Sequence, residues 1–266
     1  MTPFEKIKMP TVKNIIVVAS GKGGVGKSTV SANLAIALAR NGMKVALVDA
    51  DIYGPSIPTM FGIRDERPPV SVLGDKEQII PIEKFGVKIM SIGFFTKPNQ
   101  GLIWRGPMAA NSIKQLLETT EWGDIDYMVI DFPPGTGDIQ LTIAQSLNLT
   151  GAIIVTTPQE IALADARKAA SMFVTAGIEV PIIGVVENMS WFTPKQHPTE
   201  KYFIFGEGGG AKLATEINSV LLGQVPLVME VGAAADKGMS VFSQTEKSVV
   251  TAFEDLAEKV LSAVEV

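Results

Sequence analysis

Residues 20–29 read SGKGGVGKST and fit the pattern G-x-x-x-x-G-K-[ST]. The apolar run NIIVVAS (14–20) precedes this stretch, and KSTVSANLAIALAR (27–40) follows it with a helical pattern. A strand, this loop and a helix, in that order, form a backbone cradle that binds phosphate groups. The stretch therefore predicts an α/β fold with a nucleotide-phosphate site between its first strand and its first helix.

The residues of this loop have different expected roles. The glycines let successive backbone N–H groups converge on phosphate oxygens. Lys27 adds a positive charge at the β- and γ-phosphates of ATP, and Ser28 supplies a hydroxyl ligand for Mg²⁺. Lys22 is a second lysine, which the phosphate pattern alone does not require. The residues expected to bind the nucleotide here are Gly21, Lys22, Gly23, Gly24, Val25, Gly26, Lys27, Ser28 and Thr29.

Other short apolar runs resemble residues 14–20 and also predict buried strands. They lie at 44–50, 127–132, 151–157 and 181–187, and 87–94 indicates one more strand. Helical patterns occur at 27–40, about 107–121, 138–147, 160–176, 209–217 and 245–264. Strands apolar on both faces that alternate with helices predict a mostly parallel sheet covered by helices on both faces, the three-layer α/β architecture of P-loop NTPases. We expect a single such domain over residues 1–266.

Three stretches that connect the predicted strands and helices give further structural predictions. The stretch EQIIPIEKFG (77–86) indicates a small antiparallel excursion, and 62–80 is expected to be a loop because it contains Pro68 and Pro69. Residues 191–210 form a long polar, glycine-rich connection.

Aspartates follow two of the predicted strands. Asp131 ends YMVID, Asp49 lies at the end of 44–50, and Asp51 follows directly after that run. Because the carboxyl ends of parallel strands meet at the edge where ligands bind, we expect these side chains near the phosphate loop. Asp131 is expected to bind Mg²⁺ through a water, Asp51 to bind the metal and orient the attacking water, and Asp49 to support Asp51. Each could instead be a helix N-cap or a turn residue.

Composition narrows the class of protein. The chain has 266 residues and a net charge of −5, which argues against a general nucleic-acid binder. It has no cysteine, which excludes disulfides, thiolate nucleophiles and thiolate metal sites. The sequence shows neither the apolar region of a signal peptide nor a run long enough to span a membrane. We expect a cytoplasmic protein with no nucleic-acid or membrane partner.

The loop GKGGVGKST resembles the deviant Walker A loop of the MinD/ParA/Mrp class of P-loop ATPases. The motifs DADIYGPS, WRGPM, DFPPGTGD, TTPQEIALAD, ENMSWF and IFGEGGG are similar to the Mrp-type (ApbC-like) group, and the similarity spans about residues 13–262. The resemblance implies a homodimeric ATPase that carries iron–sulfur clusters and serves scaffold or client apoproteins. Its hydrolysis is expected to be slow and stimulated by a partner.

The resemblance also assigns roles to individual residues. In this class the extra lysine, here Lys22, reaches across a two-fold interface to the partner's nucleotide, so Lys22 joins Lys27 and Asp51 as a catalytic residue. Asn188 in VVENMS matches the residue that contacts the adenine base, and Pro226 is expected beside the base. A solvated surface lysine and a loop-capping asparagine are the alternatives for Lys22 and Asn188.

The chain departs from the group where many members have a C-x-x-C pair. Residues 191–203 read WFTPKQHPTEKYF, without cysteine, and His197 is the only histidine. Clusters are held by thiolates, so a bound iron–sulfur cluster is doubtful and His197 is expected to be a solvated loop residue. We expect reconstituted protein to hold no stable cluster, and residues 191–203 to contact a cluster-bearing partner. Their aromatic side chains could instead hold the loop to the body.

Two other functions compete with this one. The first is a positioning or partitioning ATPase like MinD or ParA, but the acidic end of 245–264 lacks the basic face of a membrane-binding helix. The second is an adaptor that binds ATP without hydrolysing it. Electron transfer like that of the nitrogenase iron protein is excluded because there is no cysteine.

Overall fold

The structure is a computed structural model and describes residues 6–73, 76–95, 106–243 and 247–264. Within these ranges the strands are Val12–Ala19 (β1), Val45–Asp49 (β2), Val70–Leu73 (β3), Lys76–Ile79 (β4), Ile82–Lys84 (β5), Val87–Ser91 (β6), Ile125–Asp131 (β7), Gly151–Thr156 (β8), Ile182–Asn188 (β9) and Leu221–Val225 (β10). The helices are Lys27–Arg40 (α1), Ile57–Met60 (α2), Gly106–Thr119 (α3), Asp138–Ser146 (α4), Glu160–Val174 (α5), Gly209–Glu216 (α6), Met229–Asp236 (α7) and Lys247–Val264 (α8).

Eight of these strands form one sheet in the order β10-β9-β8-β1-β7-β2-β6-β5. Neighbouring strands are parallel throughout, except that β5 runs antiparallel to β6. Ile16, Val17 and Val18 of the central strand β1 are fully buried, because helices cover the sheet. α1 contacts β1, β2 and β7, whereas α5 contacts β8 and β9. The predicted three-layer, mostly parallel α/β fold is confirmed.

Parallel strands bring polar residues from distant parts of the chain to one edge of this sheet. In the strand register, Asp131 at the end of β7 lies opposite Asp49 of β2 on one side and Val18 of β1 on the other. Asn188 ends β9, and the phosphate loop follows β1. The carboxyl edge of the sheet is therefore where the predicted site residues come together.

The prediction of a loop over 62–80 is wrong in part. β3 and β4 pair antiparallel, with Val70 opposite Ile79, and form a two-stranded sheet of their own. Val70 and Val72 are 60% and 68% exposed, so this hairpin buries little apolar surface. Its strands are four residues long and follow two prolines, which hides the alternation. The antiparallel excursion at 77–86 is confirmed by β5 pairing with β6.

β10 was not predicted, because LLGQV contains a glycine and a glutamine and is interrupted as a strand pattern. The register shifts between Leu221 and Gly223, so Leu222 lies at a bulge in this outer strand. The Lys259 Nζ of α8 donates a hydrogen bond to the Leu222 carbonyl over 2.8 Å. Helix α2 was also not predicted, because four residues are too short to establish a helical period. Helix α7 was not predicted because its sequence, MEVGAAAD, contains a glycine and three alanines and buries only Ala234, so it shows no apolar stripe.

Helix α8 packs on the body of the protein through a buried stripe formed by Val249, Phe253, Leu256 and Val260. It contacts α1 and β10. The helical pattern predicted at 245–264 is therefore confirmed, and its apolar stripe packs on the core. None of the helices in the described ranges combines the length and the hydropathy needed to cross a membrane.

Candidate active site

The phosphate loop connects β1 to α1 through backbone conformations that only glycine adopts freely. Gly24 and Gly26 have φ of 82° and 80°, and Gly26 directly precedes the first residue of α1. Gly21 has a different reason to be glycine: a Cβ there would lie 2.0 Å from the Asp165 carbonyl carbon of α5. The loop is therefore shaped by its own backbone in one half and by close contact with α5 in the other.

Asp131 is the centre of the site and is completely buried. Its Oδ1 lies 2.8 Å from the Lys27 Nζ, and its Oδ2 accepts a hydrogen bond from the Ser28 hydroxyl over 2.6 Å. Ser31, one helical turn after Lys27, places its hydroxyl 2.7 Å from Oδ1. The predicted lysine, serine and aspartate thus meet, and Ser31 is an addition that sequence reasoning missed. The available signal was a serine four residues after Lys27, on the same face of the predicted helix.

Asp51 faces the same lysine from the other side. Its Oδ2 lies 3.8 Å from the Lys27 Nζ, whereas its Oδ1 accepts the backbone N–H groups of Tyr53 and Gly54 at 3.2 and 3.3 Å. The Asp51 side chain therefore stabilises a turn, which was the alternative role considered for it. Its other carboxylate oxygen, Oδ2, is presented to the phosphate site. The structure brings Asp51 into the cluster with Lys27 and Asp131.

Asp49 lies behind Asp51 and is buried. Its Oδ1 accepts the Asp51 N–H over 3.2 Å, and its Oδ2 accepts from the Ser91 hydroxyl and from the Ile57 N–H. Burial, reinforced by the nearby Asp131 charge and opposed by Lys27, raises the pKa of Asp49 to about 8. Burial also raises the pKa of Asp51, although Lys27 counteracts it. Asp49 therefore fixes the start of the loop that carries Asp51.

The donor set at this edge fits Mg²⁺ bound together with a nucleotide. Within the described ranges, no group of three or more His, Cys, Asp or Glu side chains is arranged to hold a metal ion directly. Mg²⁺ is typically bound through one or two carboxylates, and waters and the phosphate oxygens of the substrate complete its shell. Ser28 and Asp131, in direct contact, offer a hydroxyl and a carboxylate of the required kind. Ser28, Asp131 and Asp51 are the residues that would hold the ion.

Lys22 lies in the first half of the loop, directly after Gly21. Its backbone carbonyl accepts a hydrogen bond from the Ser20 hydroxyl over 2.9 Å. The residue is half-buried and lines a cavity of about 260 Å³ together with Lys27, Ser28, Asp51 and other residues of the loop. Lys22 is thus placed at the phosphate cavity, and among the described residues its side chain forms no hydrogen bond or ion pair with the buried Asp131 cluster.

Asn188 touches the phosphate loop directly. Its side chain is buried, and its Nδ2 donates to the Val25 carbonyl over 2.8 Å. A Cβ on Gly26 would lie 2.1 Å from the same nitrogen, so the amide rests against the bare Cα of that glycine. Asn188 therefore helps to shape the loop, and its contact with a base stays a prediction.

Pro226 lies in a second cavity, of about 800 Å³, which we call the aromatic cavity. Trp191, Phe192, Lys201 and Met229 also line it. The structure therefore does not place Pro226 in the phosphate cavity with the loop. The aromatic cavity instead lies between the turn after β9 and the segment that connects β10 to α7.

Residues 191–208, which we call the 191–208 segment, contain a short antiparallel pairing of their own backbone. Phe192 and Tyr202 exchange backbone hydrogen bonds of 2.9 and 2.8 Å, and the Lys201 Nζ lies 4.0 Å from the centre of the Trp191 ring. Tyr202 is 46% exposed, whereas Trp191 is half-buried. His197 is an exposed residue with Glu200 as its partner. His197 is thus the solvated loop residue that was predicted.

Comparison with known proteins gives a consistent assignment. The family model described as ParA: NUBPL iron-transfer P-loop NTPase matches residues 11–261. The iron-sulfur cluster carrier protein of Aquifex aeolicus (strain VF5) is 49% identical over 263 residues, which cover 98% of this chain and 70% of that protein. A nucleotide-binding protein from Archaeoglobus fulgidus, solved in complex with ADP, has 37% identity and a TM-score of 0.73, and the match covers 86% of this chain and 87% of that one.

A more distant solved structure, the septum site-determining protein MinD of Pyrococcus horikoshii OT3 with Mg-ADP, has 24% identity and a TM-score of 0.65. The match covers 96% of this chain and 99% of that one. At that identity the likeness shows the fold alone.

Proposed function

Because this chain belongs to the ParA family of NUBPL-type iron-transfer P-loop NTPases, we propose that it hydrolyses ATP at the Asp131 edge of its sheet in the service of iron–sulfur cluster assembly or transfer. The observation that carries the proposal is the contact of Lys27 and Ser28 with the buried Asp131. These groups come from the phosphate loop and from a neighbouring strand end, as nucleotide hydrolysis requires.

The reaction needs little covalent chemistry from the protein. A water oxygen attacks the γ-phosphorus, the bond to the β–γ bridging oxygen breaks, and ADP, phosphate and a proton are released. The loop N–H groups, the start of α1 and Lys27 bind the phosphate charge, and Asp51 accepts a hydrogen bond from the attacking water. Mg²⁺, when held by Ser28, Asp131 and Asp51, would neutralise charge on the β- and γ-phosphate oxygens.

The second half of the proposal concerns the cluster. Iron–sulfur clusters are normally held by thiolates, and the 266-residue chain has no cysteine. The cluster is therefore cargo that a partner's thiolates hold, and this chain contributes an ATP-dependent contact with that partner. Membership of the iron-transfer family and the similarity to a cluster carrier favour this function over a MinD- or ParA-like positioning switch.

The finer features of the activity follow from the same reasoning. We propose a homodimer with Lys22 of each subunit acting at the partner's nucleotide, because Lys22 lines the open phosphate cavity. A site that a second subunit must complete turns over slowly until a partner stabilises the closed dimer. Asn188 and Pro226 are proposed to flank the base.

Calorimetric titration with Mg-ATP and a non-hydrolysable analogue tests the proposal. Lys27→Ala should weaken binding by at least about tenfold, equivalent to about 1.4 kcal/mol, because the phosphate loses its main charged contact. The matched control is Lys44→Ala, since Lys44 is an exposed lysine at the opposite end of β2. Circular dichroism verifies that each variant is folded. Equal affinity of folded Lys27→Ala and wild type would contradict the assignment.

A further inference from the structure

Glu187 is a buried carboxylate with no part in the phosphate chemistry. It lies in β9, one residue before Asn188, and its exposed fraction is 0%. Its Oε2 accepts the Gly210 N–H over 2.5 Å, and its Oε1 accepts from the Gln224 amide over 2.7 Å and from the Ser190 hydroxyl. These partners are uncharged donors, so Glu187 is stabilised by directed hydrogen bonds at fixed points of the backbone.

The donors belong to three separate parts of the chain. Ser190 immediately precedes the 191–208 segment, Gly210 lies in the first turn of α6 directly after that segment, and Gln224 lies in β10. A Cβ on Gly210 would lie 2.7 Å from the Glu187 Cβ, which shows how closely α6 approaches the carboxylate. One side chain therefore holds both ends of the 191–208 segment.

Backbone pairing extends this junction to the aromatic cavity. The Ser190 N–H donates to the Val225 carbonyl over 3.0 Å, and the Leu227 N–H donates to the Trp191 carbonyl over 2.7 Å. Trp191 is thus held alongside the segment that contains Pro226. Its ring lines the aromatic cavity, so it reports on the position of this junction.

The residue after Glu187 reaches the phosphate loop. Successive side chains of a strand point to opposite faces, so Glu187 and Asn188 extend from one strand end in two directions. Asn188 donates to the Val25 carbonyl and rests on Gly26, the residue that precedes α1. A shift of the loop carbonyl at Val25 would therefore be transmitted through one strand end to the base of the 191–208 segment.

We propose that Glu187 is a positioning residue that couples the phosphate loop to the 191–208 segment, so that this segment responds to the nucleotide bound at the loop. The coupling rests on the proposed nucleotide binding and adds the route by which a partner could sense it. Coupling between two sites is reciprocal, so a partner bound at the segment would change nucleotide affinity by the same factor.

The test uses Trp191 as a reporter in a Trp104→Phe/Trp122→Phe background, which leaves Trp191 as the only tryptophan of the chain. Emission is recorded while Mg-ADP or a non-hydrolysable Mg-ATP analogue is added, and calorimetry gives the affinity separately. Glu187→Gln keeps the side-chain shape but replaces one acceptor oxygen with an amide donor. Glu200→Gln is the matched control, since Glu200 is an exposed glutamate within the segment.

We expect nucleotide to change Trp191 emission in the background and in Glu200→Gln. In Glu187→Gln the change should fall severalfold while the affinity stays within the same order of magnitude. If Glu187→Gln does not fold, Ser190→Ala and Gln224→Leu each remove one donor and should weaken the response in the same way. An undiminished response in the folded variants would overturn the proposal, and so would a silent Trp191 in background protein that binds nucleotide. Absence of nucleotide binding by the wild type would overturn the proposed function as well.

Discussion

Ser31 shows how much of the site depends on a single hydroxyl inside a helix. It is completely buried in α1, and its oxygen lies between the Lys27 carbonyl and Asp131, at 3.0 and 2.7 Å. Asp131 is thereby held from three directions, by Lys27, Ser28 and Ser31. A carboxylate with fixed hydrogen-bond partners keeps its orientation without help from solvent, as a metal-binding group requires.

We predict that Ser31→Ala lowers the free energy of unfolding by about 1–3 kcal/mol, because a buried carboxylate loses one of its donors. The rate of ATP hydrolysis should fall as well, since Asp131 is less well oriented. Urea unfolding and a phosphate-release assay measure the two effects. Ser262→Ala is the control, because the Ser262 hydroxyl donates to the Glu258 carbonyl of its own helix at an exposed position of α8. Loss of stability equal to that of the control would contradict a structural role for Ser31.

At the level of elements, the phosphate loop and α5 depend on each other. Gly21 lies so close to the backbone of Asp165 and Ala166 that no side chain fits between them. At Gly23, two residues along the same loop, no atom of the described residues other than its own and its two neighbours' lies within 4 Å of the would-be Cβ. The two glycines look equivalent in the sequence pattern. In the structure, close packing against α5 requires a glycine at position 21, whereas no such contact requires one at position 23.

Gly21→Ala is therefore predicted to destabilise the protein by about 3 kcal/mol or more, because the loop must separate from α5 to accept a methyl group. Gly23→Ala should change the free energy of unfolding by less than about 1 kcal/mol, since the space is open and an alanine restricts the unfolded chain. Denaturant unfolding of both variants gives the comparison. Similar losses for the two would show that α5 does not constrain the loop.

The elements also differ in how well the sequence predicts them. β1, β2, β7, β8 and β9 were predictable, because strands buried on both faces are continuous apolar runs. The β3–β4 hairpin was not, because its valines face solvent and give no burial pattern. Lys27, Ser28 and Asp131 could be predicted from a motif with a known chemistry. Glu187 could not, because its partners Gly210 and Gln224 are brought to it only by the fold, although a charged residue in an apolar strand was a signal.

On the scale of the whole molecule, Lys22 lines the same phosphate cavity as Lys27 and Asp51. The buried cluster of Lys27, Asp51 and Asp131 forms within a single chain, whereas the Lys22 side chain makes no hydrogen bond or ion pair with it in the described part of the structure. This division of residues is what a site shared between two subunits of a two-fold dimer would require. It makes the proposed dimer testable by mixing inactive variants.

Lys22→Ala and Asp51→Ala should each hydrolyse ATP poorly alone. Mixed in equal amounts, they should recover about a quarter of the wild-type activity, because half of the dimers would be mixed and each would have one complete site. In that dimer both substitutions fall at the same nucleotide, and the other site is intact. A phosphate-release assay measures the recovery, after mass spectrometry has confirmed subunit exchange. No recovery in confirmed mixed dimers would mean that Lys22 acts within its own subunit.

The bulge in β10 and the hydrogen bond that Lys259 donates to it also affect how copies of the protein associate in solution. An outer strand presents free main-chain groups on which a strand of another molecule can build an intermolecular sheet. At Leu222 the bulge interrupts the regular repeat, and the Leu222 carbonyl already accepts a hydrogen bond from the Lys259 ammonium. An added strand would have to displace a charged group and bury it. The sheet is thereby protected at this edge against open-ended aggregation.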